Sequence, residues 1–326
     1  MRPAALNRLA ARLCALGLAG VAALASAQGY PDKVIRLVVP FAAGGTSDVM
    51  VRPLTDKLTK LLGQSVVADY AAGAGGTVAA TRVAVAAPDG YTLLLASTSA
   101  LSTGPFVTKG LRYDPVKSFT PIGQMARSEY ILVVPARSPL KNLDDVLKAA
   151  RAKPGALTYG TPGVGSLGHL SGELLKSRTG IQIEHVPYRG QGPMDIDLLG
   201  GRLDMAIAGL GNTIESVNDG RLRAIAMTGG VRSGALPQVA TMSELGVPDF
   251  DASVFWGLVG PAGMAPDVVD KLNAALRAVV QMPDVKRFWI AEGQDPVAGS
   301  PAELGSLIER EYARWKVVTT NAHIAP

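Results

Sequence analysis

From about residue 34 onward, short apolar runs alternate with longer segments of helical periodicity, and this alternation restricts the fold more than any other feature. Val34–Val39 is an apolar, β-branched run that ends at Pro40. In the next segment Val51, Leu54, Leu58, Leu61 and Leu62 recur at three- and four-residue steps until Gly63 closes the pattern. Val66–Ala68 and Tyr91–Leu95 read as two more strands, with a helix over Gly75–Ala86 between them and a Pro88-Asp89-Gly90 turn before the second. The pattern then restarts. Strands are expected at Tyr130–Val134, Leu157–Tyr159, Ile181–Val186, Met205–Ala208, Leu222–Met227 and Phe255–Val259, ahead of a helical C-terminal block. Asn142 with Asp145, and Ser300 with Glu303, carry helix-start signatures. Continuous apolar strands separated by helices predict parallel sheets covered on both faces, an α/β class.

Two such units in succession suggest two lobes crossed more than once by the chain, near Arg127–Tyr130 and Asp251–Phe255. The expected division is residues 28–128 plus 253–326 for one lobe and 129–252 for the other. In open α/β sheets ligands bind beyond the carboxyl ends of the strands, so the cleft between the lobes is the expected site.

The first 27 residues read as an export signal. Arg2, Arg8 and Arg12 form a basic start, Leu13–Leu24 an apolar stretch too short to span a bilayer, and Ala25-Ser26-Ala27 a cleavage site before Gln28. Cys14 precedes most of the apolar stretch, the wrong order for lipid attachment, so the mature chain is expected to be cysteine-free, exported and soluble. The formal charge of +5 falls to +2 without the three leader arginines, because residues 1–27 hold no acid. That balance, with no basic run, argues against nucleic acid or a membrane surface as partner.

Three glycine-bearing turns follow strands or open helices: Phe41–Asp48, Ala72–Thr77 and Thr161–His169. The first and third support an ordinary capped turn as readily as a site in which bare N–H groups at a helix N-terminus meet an anion, whereas the second reads as a flexible entry loop within reach of a ligand. Gly163, Gly165 and Gly168 also fit the G-x-G-x-x-G dinucleotide spacing, with Glu184 placed for a ribose. Ser166 is a natural N-cap, which puts His169 at the third helical position, where the positive helix end favours a neutral imidazole. The serine-hydrolase elbow fails because position 164 is Val, and His169, His185 and His323 do not fall at metal-ligand spacings.

Taken together, the motifs resemble the Bug-type solute-binding proteins, the extracytoplasmic receptors of tripartite tricarboxylate transporters. The residues that carry the resemblance are Tyr30-Pro31-Asp32-Lys33, Pro40-Phe41-x-x-Gly44-Gly45-x-x-Asp48 and Pro88–Leu94. Tyr159–Thr161 with Gly165-Ser166 and His169-Leu170, Val186–Gly190, Gly201-x-x-Asp204, and Trp256–Leu258 with Pro261–Gly263 continue the series in order. The resemblance implies a periplasmic location and a two-lobed, hinged Venus-flytrap fold that captures a small organic carboxylate with backbone N–H groups of two loops, one per lobe. Carried over by position, the ligand-binding residues are Phe41, Ala43, Gly44, Gly45, Thr46 and Asp48 in the first loop, and Thr161, Gly165, Ser166 and His169 in the second. Ser97, Thr98, Tyr188, Asp204 and Trp256 complete the expected set. Ala43 departs from the proline of many relatives. No catalytic residue, metal or cofactor is expected, and the implied partners are the acid and the membrane subunits of a transporter, with the receptor itself a monomer. An exported NAD-linked or hydrolytic enzyme using Gly163–Gly168, and a ligand-sensing subunit of a signalling system, are the alternative readings.

Overall fold

The computed structural model of the protein describes residues 29–321 and residue 324. The export signal expected over residues 1–27, and His323, lie outside the described residues. Ten strands form one continuous network in the order β2-β1-β3-β9-β4-β7-β5-β6, with β8 and β10 also pairing with β4. They are β1 (Ile35–Val39), β2 (Val66–Tyr70), β3 (Thr92–Ser97), β4 (Phe119–Pro135), β5 (Thr158–Thr161), β6 (Glu184–Pro187), β7 (Met205–Gly209), β8 (Leu222–Met227), β9 (Ser253–Pro261) and β10 (Gln294–Pro296). The helices are α1 (Thr46–Leu62), α2 (Thr77–Ala84), α3 (Leu143–Ala152), α4 (Leu167–Thr179), α5 (Gln191–Leu199), α6 (Leu210–Asn218), α7 (Pro266–Gln281), α8 (Pro283–Ala291) and α9 (Pro301–Asn321).

The fold is the expected two-lobed α/β architecture. Its strands, however, are not all parallel. β1, β2 and β3 are parallel, as are β5, β6 and β7, but β9 runs antiparallel to β3 and β4, and β4 antiparallel to β7 and β8. The reason is that β4, 17 residues long, serves both sheets. It pairs with β9 from Phe119 to Glu129, then with β7 from Tyr130 to Val133. A long strand and its returning neighbour can pair antiparallel without a crossover helix.

Helix α1 shows how the local sequence supports the packing. Its face of Val51, Leu54, Leu58 and Leu62 is buried, whereas Leu61 is 46% exposed and faces outward, contrary to its place in the expected stripe. Pro53 lies inside this helix and has no N–H to offer the Val49 carbonyl one turn back. The Trp289 indole N–H donates to that carbonyl instead at 3.1 Å, from helix α8. Trp289 is fully buried, so one side chain satisfies an orphaned backbone acceptor and fills the α1–α8 interface. Gly63 ends the helix in the left-handed region, its N–H returning to the Thr59 carbonyl.

Two of the expected helix starts are present as hydrogen-bonded caps. Asn142 accepts from the Asp145 N–H at 2.8 Å. Ser300 and Glu303 form a reciprocal capping box, with the Ser300 N–H donating to Glu303 Oε2 at 2.7 Å and the Glu303 N–H to Ser300 Oγ at 3.2 Å. No described helix is long and apolar enough to cross a membrane.

Candidate ligand-binding site

The loop after β1 forms the first jaw. Gly44 has a φ of +88°, a backbone shape that a side chain would strain. Its N–H donates to Asp48 Oδ2 at 2.6 Å, and the Tyr70 hydroxyl donates to Asp48 Oδ1. Asp48 is therefore occupied in bracing the loop. Helix α1 begins here, capped by Gly45 with no side-chain acceptor. The N–H groups of Thr46 and Ser47 bond to no described residue and stand at the positive end of the helix dipole.

The loop after β5 forms the second jaw. Gly163 and Gly165 take φ values of +140° and +80°, and Ser166 caps α4 by accepting from the His169 N–H at 3.2 Å. His169 Nδ1 accepts in turn from the Gly165 N–H at 3.2 Å. Behind the loop, His185 stacks on His169 with ring centroids 4.2 Å apart and on Tyr159 at 5.0 Å. Its Nε2 lies 2.6 Å from Thr161 Oγ1. Burial holds the His169 pKa below the usual histidine range, opposed by Glu173. Burial, helped by His169 and Lys176, pushes His185 down to about 3. Both imidazoles are neutral near pH 7, the charge state that a helix N-terminus favours.

The two jaws meet. Thr46 Oγ1 donates to Gln191 Oε1 at 3.0 Å, and the Ala42 N–H to the Arg189 carbonyl at 3.3 Å. Thr103 Oγ1 donates to the Gly165 carbonyl at 2.8 Å, and the Leu167 N–H to Ser99 Oγ at 2.9 Å. A Cβ on Gly75 would lie 2.5 Å from the Gly165 carbonyl carbon, so only glycine permits this approach. The chamber left between the jaws is lined by Phe41, Gly45, Thr46, Ser47, Tyr130, Pro162, Gln191 and Trp256. Its volume is about 10 Å³, close to the least that holds one water.

Two buried donors at this chamber have no partner among the described residues: Ser47 Oγ and Trp256 Nε1, both on residues 2% exposed. A buried donor left unpaired costs about 1–3 kcal/mol, which is tolerable where a ligand supplies the acceptor. No lysine, arginine or histidine is among the chamber-lining residues. A larger groove of about 730 Å³ lies elsewhere, against β4, β9 and α9, lined by both signs of charge, including Arg127, Asp251, Glu303 and Arg310. Size therefore does not mark the site, since the unpaired donors and the converging helix ends belong to the small chamber.

Of the expected residues, Phe41, Gly45, Thr46 and Trp256 line the chamber, and Thr161, Gly165, Ser166 and His169 build the jaw above it. Ala43 and Gly44 lie on the exposed outer side of the first loop. Ser97 Oγ accepts from the Ala100 N–H, and Thr98 Oγ1 from the Phe255 N–H at 2.9 Å, so both brace backbone and neither lines the chamber. Ser99 is the residue of that run that reaches across, to Leu167. Tyr188 donates to Asp197 at 2.8 Å. Asp204 accepts from the N–H and hydroxyl of Thr158, at the end of β5 remote from Thr161. Sequence reasoning missed Ser47, Ser99, Thr103, Tyr130, Pro162, His185 and Gln191. Ser47 and Pro162 lie within the turns Phe41–Asp48 and Thr161–His169 without being among the expected ligand residues, and Ser99 had a local signal as a further hydroxyl in the polar run Ser97–Ser99.

The two α/β lobes, with β4 serving both sheets and a chamber at the strand ends, define a periplasmic binding protein of the two-lobed class. Residues 50–323 match the family model described as tripartite tricarboxylate transporter family receptor, and the chain belongs to that family. It is 36% identical over 301 residues to protein BugT of Bordetella pertussis, covering 92% of each chain. Among solved structures it resembles Rpa4515 of R. palustris, solved with adipate, at 35% identity and a TM-score of 0.87, covering 91% of this chain and 99% of that one. It also resembles MatC of Rhodopseudomonas palustris, solved with bound malate, at 31% identity and a TM-score of 0.85, covering 89% and 99%. This family and these neighbours are solute-binding proteins rather than enzymes.

Proposed function

We propose that this protein is an exported periplasmic receptor that captures a small organic carboxylate between its two jaws and presents it to the membrane subunits of a tripartite transporter. The observation that carries the reading is the pair of buried, unpaired donors, Ser47 Oγ and Trp256 Nε1, beside the N-terminus of α1. A carboxylate placed there accepts from these groups and from the Thr46 and Ser47 N–H groups. Each hydrogen bond to a charged acceptor contributes about 1.5–3 kcal/mol, and a partly buried helix N-terminus adds up to ~2 kcal/mol. Two or three such bonds reach micromolar affinity, near −8 kcal/mol, after the cost of association. The absence of a basic side chain from the lining is consistent with this, because helix ends bind anions without one.

Residues 28–128 with 253–326 form one lobe in this reading, and 129–252 the other, with opening about the crossings near Arg127–Tyr130 of β4 and near Asp251–Phe255 at the start of β9. Opening breaks the Thr46–Gln191 and Ser99–Leu167 bonds and admits the acid. Its carboxylate then meets the donors of the chamber, and closure creates the surface a transporter distinguishes. The adipate and malate of the two solved neighbours support an acid of this size. Native mass spectrometry of gently purified protein tests the reading. A retained organic acid is expected, and a retained nucleotide would replace this reading with a cofactor-binding one.

A further inference from the structure

Outside the residues that face the chamber, one half-buried group touches both ends of the second jaw. His185, on β6, lies opposite Tyr159 on β5, and the register of the two strands stacks their rings at 5.0 Å. Its other face covers His169 at 4.2 Å, and its Nε2 reaches Thr161 Oγ1 at 2.6 Å. Thr161 begins the loop and His169 lies in the first turn of the helix that ends it, so one imidazole joins the two flanks of a segment bent through two positive-φ glycines. A loop of that shape has no regular ladder to hold it. Besides the bonds to Thr103 and Ser99 and the turn closed by the Ser166 N–H on the Gly163 carbonyl, it is braced by the chain of contacts from Tyr159 through His185 and His169 to the Gly165 N–H. The Tyr159 hydroxyl is itself tied down, donating to Glu173 Oε1 at 2.8 Å, and Glu173 pairs with Lys176 at 2.9 Å.

We propose that His185 is a positioning residue of the ligand site: wedged between Tyr159 and His169 and bonded to Thr161, it sets the geometry of the second jaw without touching the ligand. The proposal rests on the reading that this jaw receives a carboxylate. The arrangement needs an unprotonated Nδ1 on His169 to accept the Gly165 N–H, and it excludes two charged rings, because imidazolium ions face to face repel each other. The direction of both pKa shifts agrees with that requirement. The charged groups near the stack are Glu173 and Lys176 on α4 and the exposed Glu184 beside His185.

The test uses His185→Ala and, in case that variant does not fold, His185→Gln, which keeps a polar group near Thr161 but no stacked ring. In ligand-free protein at neutral pH, NMR of the wild type is expected to show His169 with an unprotonated, hydrogen-bonded Nδ1 and a Gly165 amide signal shifted accordingly. Both signals should move in the variants while the remaining amide spectrum stays that of the folded protein. Titration with adipate should show binding weakened at least tenfold in His185→Ala, with a smaller loss in His185→Gln. Unchanged Gly165 and His169 signals in a folded variant would overturn the proposal, as would a loss of affinity that only tracks a loss of thermal stability. If the wild type binds no carboxylate, the receptor reading fails separately, and the two NMR signals alone decide whether His185 positions the jaw.

Discussion

Thr46 and Gln191, 145 residues apart in the chain, share a buried hydrogen bond of 3.0 Å that ties one jaw to the other. The Gln191 amide is saturated around this contact. Its Oε1 also accepts from the Gly209 N–H at 3.1 Å, and its Nε2 donates to the Gly209 carbonyl at 3.0 Å and to Thr213 Oγ1 at 2.8 Å. Gln191 thus makes three bonds to Gly209 and Thr213 and one to the first loop.

Replacing Thr46 with Val removes only the cross-jaw bond while keeping the volume. A net hydrogen bond contributes about 0.5–1.5 kcal/mol, so affinity for the retained acid should fall about two- to tenfold, with the unfolding midpoint of the ligand-free protein nearly unchanged. Calorimetric titration beside a thermal melt separates the two effects. A large stability loss would mean that the contact is part of the core rather than of closure.

Gly75 meets the Gly165 carbonyl across the cleft and has a φ of +62°. Gly75→Ala places a methyl group where the second jaw must arrive, and its left-handed backbone costs about 1–2 kcal/mol. Binding should therefore drop more than tenfold, with a fall in the melting midpoint of only a few degrees. Small-angle scattering that showed the variant still closing on saturation with ligand would contradict this.

Trp256→Phe keeps the aromatic surface but deletes the unpaired Nε1 donor. Because that donor has no partner among the described residues, its removal breaks no hydrogen bond within the protein. The ligand loses a donor, and affinity should fall about ten- to hundredfold. Equal affinities for the two proteins would show that Trp256 only packs.

The pH response of stability should carry the mark of Glu129, which lies on β4 where its pairing passes from β9 to β7. Burial, with Asp251 and Asp295 adding and Arg127 opposing, raises its pKa from the ordinary 4.5 to about 7. The folded protein therefore holds this proton between those values while the unfolded chain releases it. The contribution is complete below about 4.5 and is lost as the pH rises through about 7. Asp195, raised to about 7 by burial, acts in the same direction. His185, pushed down to about 3, acts oppositely and loses its contribution as the pH falls below 6.5. Glu129→Gln should therefore flatten the fall in melting midpoint between pH 5 and pH 8. An unaltered slope would remove Glu129 from the account.

The alternation of strand and helix was legible because each element is written in local periodicity. So were the caps at Asn142, Ser166 and Ser300, which need residues only three positions away. The antiparallel placement of β9 was not legible, since an apolar run such as Phe255–Val259 does not state its direction. The glycine loops pointed to the jaws, yet Gln191, Thr103 and His185 stayed hidden, because their roles come from contacts that exist only after folding and closure. Asp48 and Asp204 were expected as ligand groups by position alone, and in the structure both carry bracing bonds.

Calorimetric titration of protein unfolded and refolded to strip any retained acid tests the central claim most directly, with adipate, malate and a range of other small carboxylates as titrants. One-to-one binding of at least one acid, in the micromolar range and weakened by Trp256→Phe, is the predicted result. Failure of every carboxylate to bind a correctly refolded protein would contradict it.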